Sequence, residues 1–348
     1  YLGGSRMSGR APEGSFERWV DDKFGRPLND YFFKPYTEKL WGIPASRLSD
    51  DWAAQRISLL NVKDALLKSL PFAGKTPRTY AKTYYYPKGG IGAIFETMAS
   101  DIKRLGGTIL TGMEPVGLET EGNRVSRIII GKNGKGHSSI ASDKLLSTIP
   151  LDSVANLVEP GISAQISFRS LRFLNIMLDS KEFSENTWMY VPEPEFIMSR
   201  IQEPKRRSPF SAPEGKTSVM LEIPCEYGDD VWSMSDDGLL ETVLANLKAL
   251  GFDIEREVKG CFSTRARHAY PRYEMGYLEK VKRLRKTVER FINLSTLGRQ
   301  GLFRYIFMDT AMIMGREWAT NILGKRGTER IDEICNSKEL IETQSVVA

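Results

Sequence analysis

The chain has 348 residues, of which 41% are hydrophobic and 27% charged, with a net charge of +5. That length calls for two domains or interleaved subdomains, and the composition is that of a soluble globular protein. No apolar run is long enough to cross a membrane as a helix.

Residues 1–20 open in Gly, Ser and Arg and read as loop until Phe16 starts a helical pattern. From Phe24 to Leu60 aromatics and cations crowd together. Tyr31, Phe32, Phe33, Tyr36, Trp41 and Trp52 cannot all face water, and Lys34, Lys39, Arg47 and Arg56 need partners or solvent. A helical subdomain with an aromatic-lined, cationic cleft satisfies both demands; an ordinary helical core with snorkelling bases satisfies them equally. Tyr84 to Gly92 then gives a strand and a glycine turn, followed by a helix with Ile94, Met98, Ile102 and Leu105 on one face and a strand at Thr108–Leu110. This is βαβ grammar, although the GGIG turn lacks the full dinucleotide spacing and the acidic residue after it.

Val116–Glu119 and Arg124–Ile130 read as a hairpin around Glu121, and Lys144–Ile149 as an apolar strand. Residues 165–225 alternate as strands, and residues 237–250 form an amphipathic helix through Leu240, Val243, Leu247 and Leu250. The basic run Lys280–Lys286 carries Tyr277, Val281, Leu284, Val288 and Phe291 at helical spacing, which makes it the solvated face of a helix; no nucleic-acid partner is expected. Gly298–Leu323 reads as a polar turn, a short strand and a helix from near Asp309, with Met312, Gly315, Ala319 and Leu323 on a face that must be buried. Its first turn suits an electron-rich ligand group, or is simply capped by Asp309. Cys225, Cys261 and Cys335 are scattered and form no metal-ligand spacing with His137 or His268, so no metal is expected; the odd cysteine count fits a reducing cytoplasm. His268 reads as structural. The chain begins at Tyr1 without a methionine or signal peptide, which suggests a fragment lacking its N-terminus.

The segments FFKPYTEKLWGIP (residues 32–44), DWAAQRI (51–57), YYYPKGGIG with its following helix (84–110), STIPL (147–151), HAYPRYEMGY (268–277) and GRQGLFRYIFMDTAMIMG (298–315) together resemble the FAD-dependent oxidoreductases grouped with amine oxidase, protoporphyrinogen oxidase and UDP-galactopyranose mutase. The resemblance implies an α/β fold in which an FAD-binding domain, similar to that of p-hydroxybenzoate hydroxylase, is interrupted by a substrate domain of mixed β-sheet plus helix. It divides the chain into a helical cap (residues 1–82), part of the FAD-binding domain (83–155), the substrate domain (156–292), a return to the FAD-binding domain (293–325) and a tail (326–348). The glycine-rich GxGxxG fingerprint and its acidic ribose ligand are not in the sequence, and by this resemblance they precede Tyr1.

By the same resemblance the cofactor is FAD. Val116 and Pro150 would lie toward its adenine side, Gly89 and Gly90 in the glycine turn would also serve it, and Gly298, Arg299, Met308 and Asp309 would approach the flavin ring. Tyr36, Lys39, Trp41, Arg56, Tyr270 and Tyr305 would bind a small-molecule substrate, with Arg56, Arg299 and Tyr305 placed for catalysis. Plain structural roles stay open for Tyr36, Trp41, Arg56 and Tyr305. The reaction implied first is hydride transfer from an organic, anionic or sugar-nucleotide-like substrate. The alternatives are a mutase in which reduced flavin attacks an anomeric carbon, and a fragment that binds no flavin. A peripheral membrane contact of the basic surface is compatible with this picture, and the oligomeric state is left open.

Overall fold

The computed structural model describes residues 10–56, 85–132, 135–162 and 166–324, and for residues 54–56 and 135–137 the backbone alone. Its principal helices are α1 (Phe16–Phe24), α2 (Lys34–Trp41), α3 (Asp50–Arg56), α4 (Gly92–Arg104), α5 (Leu151–Val158), α6 (Asp236–Ala249), α7 (Tyr277–Glu289) and α8 (Met308–Ile322). The strands are β1 (Glu114–Glu121), β2 (Arg124–Lys132), β3 (Lys135–Ala141), β4 (Leu145–Ser147), β5 (Phe168–Leu178), β6 (Trp188–Tyr190), β7 (Arg200–Gln202), β8 (Thr217–Cys225), β9 (Val258–Pro271) and β10 (Leu294–Thr296).

A five-stranded antiparallel sheet, ordered β6-β7-β8-β5-β9, positions everything else. Successive strand residues point to opposite faces. One set, including Met189, Ile201, Val219, Leu221 and Ile223, packs against Leu239, Val243 and Leu247 of α6. Ser235 caps this helix, its hydroxyl accepting from the amide of Gly238 at 3.1 Å. The wholly buried Arg172 guanidinium ties the helix start to the sheet by donating to Asp236 (2.7 Å), Ser263 (2.8 Å) and the carbonyls of Val231 and Met234. The alternate residues, Tyr190, Arg200 and Glu222, are therefore sent to the other face.

A second core holds Phe16, Trp41, Trp52 and Leu151 together with Tyr273, Tyr277, Leu284 and Val288, so α7, packed on α5, shares one core with the N-terminal helices. The face expected for this helix is the one that is buried. At its C-terminus α2 is gripped by two guanidiniums: Arg169 donates to the carbonyls of Lys39 and Leu40, and Arg272 to that of Trp41. Both arginines also pair with Glu226. Cations at a helix C-terminus satisfy its last carbonyls and oppose its dipole. Gly42 ends the helix at φ +66, and a Cβ there would lie 2.6 Å from Arg169 Nη1, so only glycine fits the clamp.

The remaining layer holds the antiparallel sheet β1-β2-β3 and the parallel pair β4–β10. The hairpin around Glu121 is present, and β3 is a third strand that the sequence reading did not include. Three expected strands are not. The described residues 85–87, 108–110 and 302–307 form no strand, because nothing among the described residues offers them a ladder partner. The burial expected of two helices is also corrected. Along α4, Met98, Ile102 and Leu105 are 43–76% exposed. On α8 the inward residues are Thr310, Met314 and Glu317, while Met312 and Leu323 face outward. Periodicity identified both helices correctly; it does not say which packing partner covers an apolar stripe. Tyr84 and Cys335 lie outside the described residues.

Candidate active site

Between α2 and the cavity-facing side of the five-stranded sheet lies a cavity of about 290 Å³ with mostly aromatic walls. Tyr36 and Phe32 stack in parallel at 6.1 Å on one side, and Tyr190 meets Tyr36 edge-on at 5.6 Å. On the other side four rings touch in sequence: Tyr270 and Trp41 (5.8 Å), Trp41 and Trp52 (4.8 Å), Trp52 and Tyr305 (5.1 Å), and Tyr305 and Tyr270 (5.6 Å). Offset and edge-to-face ring pairs of this kind favour a rigid wall.

The polar edge is built from the sheet. Arg200 and Glu222 are register partners across β7 and β8 and form an ion pair. Tyr270, brought in by the irregular register of β5 and β9, donates its hydroxyl to the second Glu222 oxygen at 2.9 Å. Burial pushes the Tyr36 and Tyr270 hydroxyls well above the ordinary tyrosine range, so both stay protonated.

The structure gathers Tyr36, Trp41, Tyr270 and Tyr305, four of the residues expected at a substrate site, into one cavity wall. Lys39 turns elsewhere: its Nζ donates to the carbonyls of Val191 and Glu193, each at 2.8 Å, pinning the loop after β6, and burial lowers its pKa to about 8. Arg299 does not line the cavity either. It donates to the carbonyls of Ile306 (2.6 and 3.1 Å) and Ala269 (3.3 Å), and its guanidinium lies 4.4 Å from the Tyr305 ring centroid and 5.9 Å from that of Tyr270. This arginine braces two wall rings from behind. The Tyr305 amide donates to the Tyr273 hydroxyl at 2.7 Å, which fixes its backbone. The backbone of Arg56 ends α3, and its side chain lies outside the described residues. His268 packs edge-on against Phe168 at 5.1 Å, in line with a structural role.

Arg200, Tyr190 and Glu222 are wall residues to which the sequence reading assigns no role. Alternation along the WMY, RIQ and MLEIP segments, with Met189, Ile201 and Leu221 taken as the core set, is the signal that finds them.

Residues assigned to a cofactor sit on the other layer. Gly298 has a left-handed φ of +81, and a Cβ on Gly301 would lie 3.2 Å from the Ser147 carbonyl, so this turn closes tightly on the end of β4. Phe307 offers no side-chain cap to α8, and Met308 and Asp309 are exposed in its first turn, which leaves the helix amides open to a ligand with acceptor atoms. Gly89 and Gly90 form an exposed turn before α4, Val116 is 38% exposed on β1, and Pro150 is buried at the start of α5. Among the described residues no cluster of His, Cys, Asp and Glu could hold a metal, and no helix is long and apolar enough to cross a membrane.

The architecture is that of the FAD-dependent oxidoreductases of the amine oxidase type. It superposes on a crystal structure of reduced UDP-galactopyranose mutase with a TM-score of 0.76 at 20% identity, covering 94% of this chain and 71% of the other. A protein from Exiguobacterium sp. 255-15 assigned as a protoporphyrinogen oxidase gives 0.60 at 17% identity (85% and 64% covered). A putrescine oxidase variant gives 0.57 at 13% identity (89% and 68% covered). Residues 31–236 match the family model of UDP-galactopyranose mutase, and the chain belongs to that family. The coproporphyrinogen III oxidase of Bacillus subtilis (strain 168) is 24% identical over 158 residues, which is 43% of this chain and a third (33%) of that protein's length.

Proposed function

We propose that the aromatic cavity is the substrate site of an FAD-dependent enzyme that isomerises a sugar nucleotide, with the sugar ring held among Tyr36, Trp41, Tyr270 and Tyr305. The observation that carries this reading is the aromatic wall of an open cleft, whose α2, β6, β7 and β8 segments all fall within residues 31–236, the part matched by the mutase family. Stacked rings orient a sugar by its apolar face and exclude water from the reacting carbon. Protonated Tyr36 acts as a hydrogen-bond donor there, while Tyr270, whose proton is given to Glu222, presents its hydroxyl oxygen as an acceptor. Arg299 acts as a positioning residue for Tyr305 and Tyr270.

Gly298, Met308 and Asp309 would hold the flavin ring, with Gly89, Gly90, Val116 and Pro150 toward the rest of the nucleotide. When bound, a reduced flavin supplies an electron-rich nitrogen able to act as nucleophile, and an oxidised one supplies a hydride acceptor. The second reading is hydride transfer from an organic substrate, and the likeness to coproporphyrinogen III oxidase favours it.

The test is to supply the chain with FAD and UDP-galactopyranose, with and without dithionite, and to separate the products by chromatography. Furanose product only under reduction supports the isomerase. Anaerobic bleaching of the flavin by substrate supports hydride transfer. Neither product nor bleaching overturns both.

A further inference from the structure

Arg200 and Glu222 are the charged residues of the cavity wall, and they cancel. The Glu222 side chain is 3% exposed and that of Arg200 29%. Both Glu222 oxygens are occupied, one by Arg200 and one by the Tyr270 hydroxyl. Two buried N–H donors of the same wall, Trp41 Nε1 and Arg200 Nε, have no acceptor among the described residues. Those two nitrogens are themselves inaccessible, so what the wall presents to a ligand is aromatic faces and a neutralised ion pair with no net charge.

We propose that Glu222 is the residue that sets the charge selectivity of this cavity: by neutralising Arg200 it admits an uncharged hydroxylated ring and turns away the same ring carrying a carboxylate. An entering anion would lose its hydration and meet a cation whose charge is already answered by Glu222, so nothing in the wall offsets that loss. Selectivity of this form works by penalising the competitor as much as by favouring the ligand. Any charged portion of a natural substrate accordingly lies outside the cavity. The inference rests on the cavity being the ligand site, as proposed above, and not on flavin chemistry.

The experiment is a titration of the intrinsic fluorescence of Trp41 and Trp52, without flavin, using methyl β-D-galactopyranoside and the methyl glycoside of galacturonic acid. The wild-type chain should bind the neutral glycoside about tenfold more tightly than the acid, and Glu222→Gln should raise affinity for the acid about tenfold while moving the neutral probe little. Combining Glu222→Gln with Arg200→Gln should restore the preference for the neutral probe, which separates charge from shape. If Glu222→Gln does not fold, Arg200→Gln carries the test with opposite sign, with a gain for the cationic methyl glycoside of galactosamine. Equal wild-type affinity for both probes, no response to the neutral probe, or an unchanged ranking in the folded variants overturns the proposal. Because no flavin is present, failure of the proposed isomerisation would leave these affinities as they are.

Discussion

On one face of the five-stranded sheet Met189, Ile201 and Leu221 lie in the core with α6; one residue along the same strands, Tyr190, Arg200 and Glu222 look into the cavity. The first face is apolar and closed. The second carries an ion pair and tyrosine hydroxyls, polar groups whose desolvation raises the cost of folding unless they serve recognition. Stability and recognition thus share strands but not side chains, and substitutions on the two faces should separate in what they disturb.

The largest effect is expected on the closed face. Leu221→Ala should lower unfolding free energy by about 3 kcal/mol in a urea titration, since Leu221 is wholly buried and a cavity would remain. Tyr270→Phe, on the open face, should cost about 1–2 kcal/mol, because it removes the donor to a buried Glu222 oxygen. Tyr36→Ala should change stability by about 1 kcal/mol or less and weaken binding of the neutral glycoside about tenfold in the fluorescence titration, since it removes a stacked wall ring. A smaller change than this in binding would argue that the ring sits on the opposite wall.

Lys39 gives a pH signature for the loop beside the cavity. Burial lowers its folded pKa to about 8, below its ordinary value of 10.5, so the unfolded chain holds more protons between those values. This group's contribution therefore makes the protein more stable as pH rises from about 8 toward 10.5, and the burial penalty is fully present below 8. Lys39→Met should flatten that part of a stability-versus-pH curve, which thermal melts across the range would detect. The smallest effect is expected at Met312, where Met312→Ser should shift stability by about 0.5 kcal/mol or less because the side chain is 44% exposed; at the buried Met314, alanine should cost about 2 kcal/mol or more.

Much of the local structure was legible in the sequence. Helical periodicity located α6 through Val243 and Leu247 and α7 through Tyr277, Leu284 and Val288, and the turn at Glu121 located the β1–β2 hairpin. The strand expected at Thr108 failed for a reason no local pattern contains, since a strand exists only where another chain segment completes its ladder. The exposure of Met312 was illegible in the same way: spacing marks a stripe, and the partner decides burial.

The sequence by itself determined the identity of the aromatic wall candidates Tyr36, Trp41, Tyr270 and Tyr305, because motifs and aromatic density are local properties of the chain. Only the tertiary structure decided that Arg200 and Glu222 face one another in that wall, that Lys39 holds a loop, and that Arg299 braces two rings from behind. The physical reason is that a charged side chain takes its role from its partner. Those partners, 22 residues away for Arg200 and 152 for Lys39, are brought within hydrogen-bond reach by strand register and packing and not by neighbouring sequence.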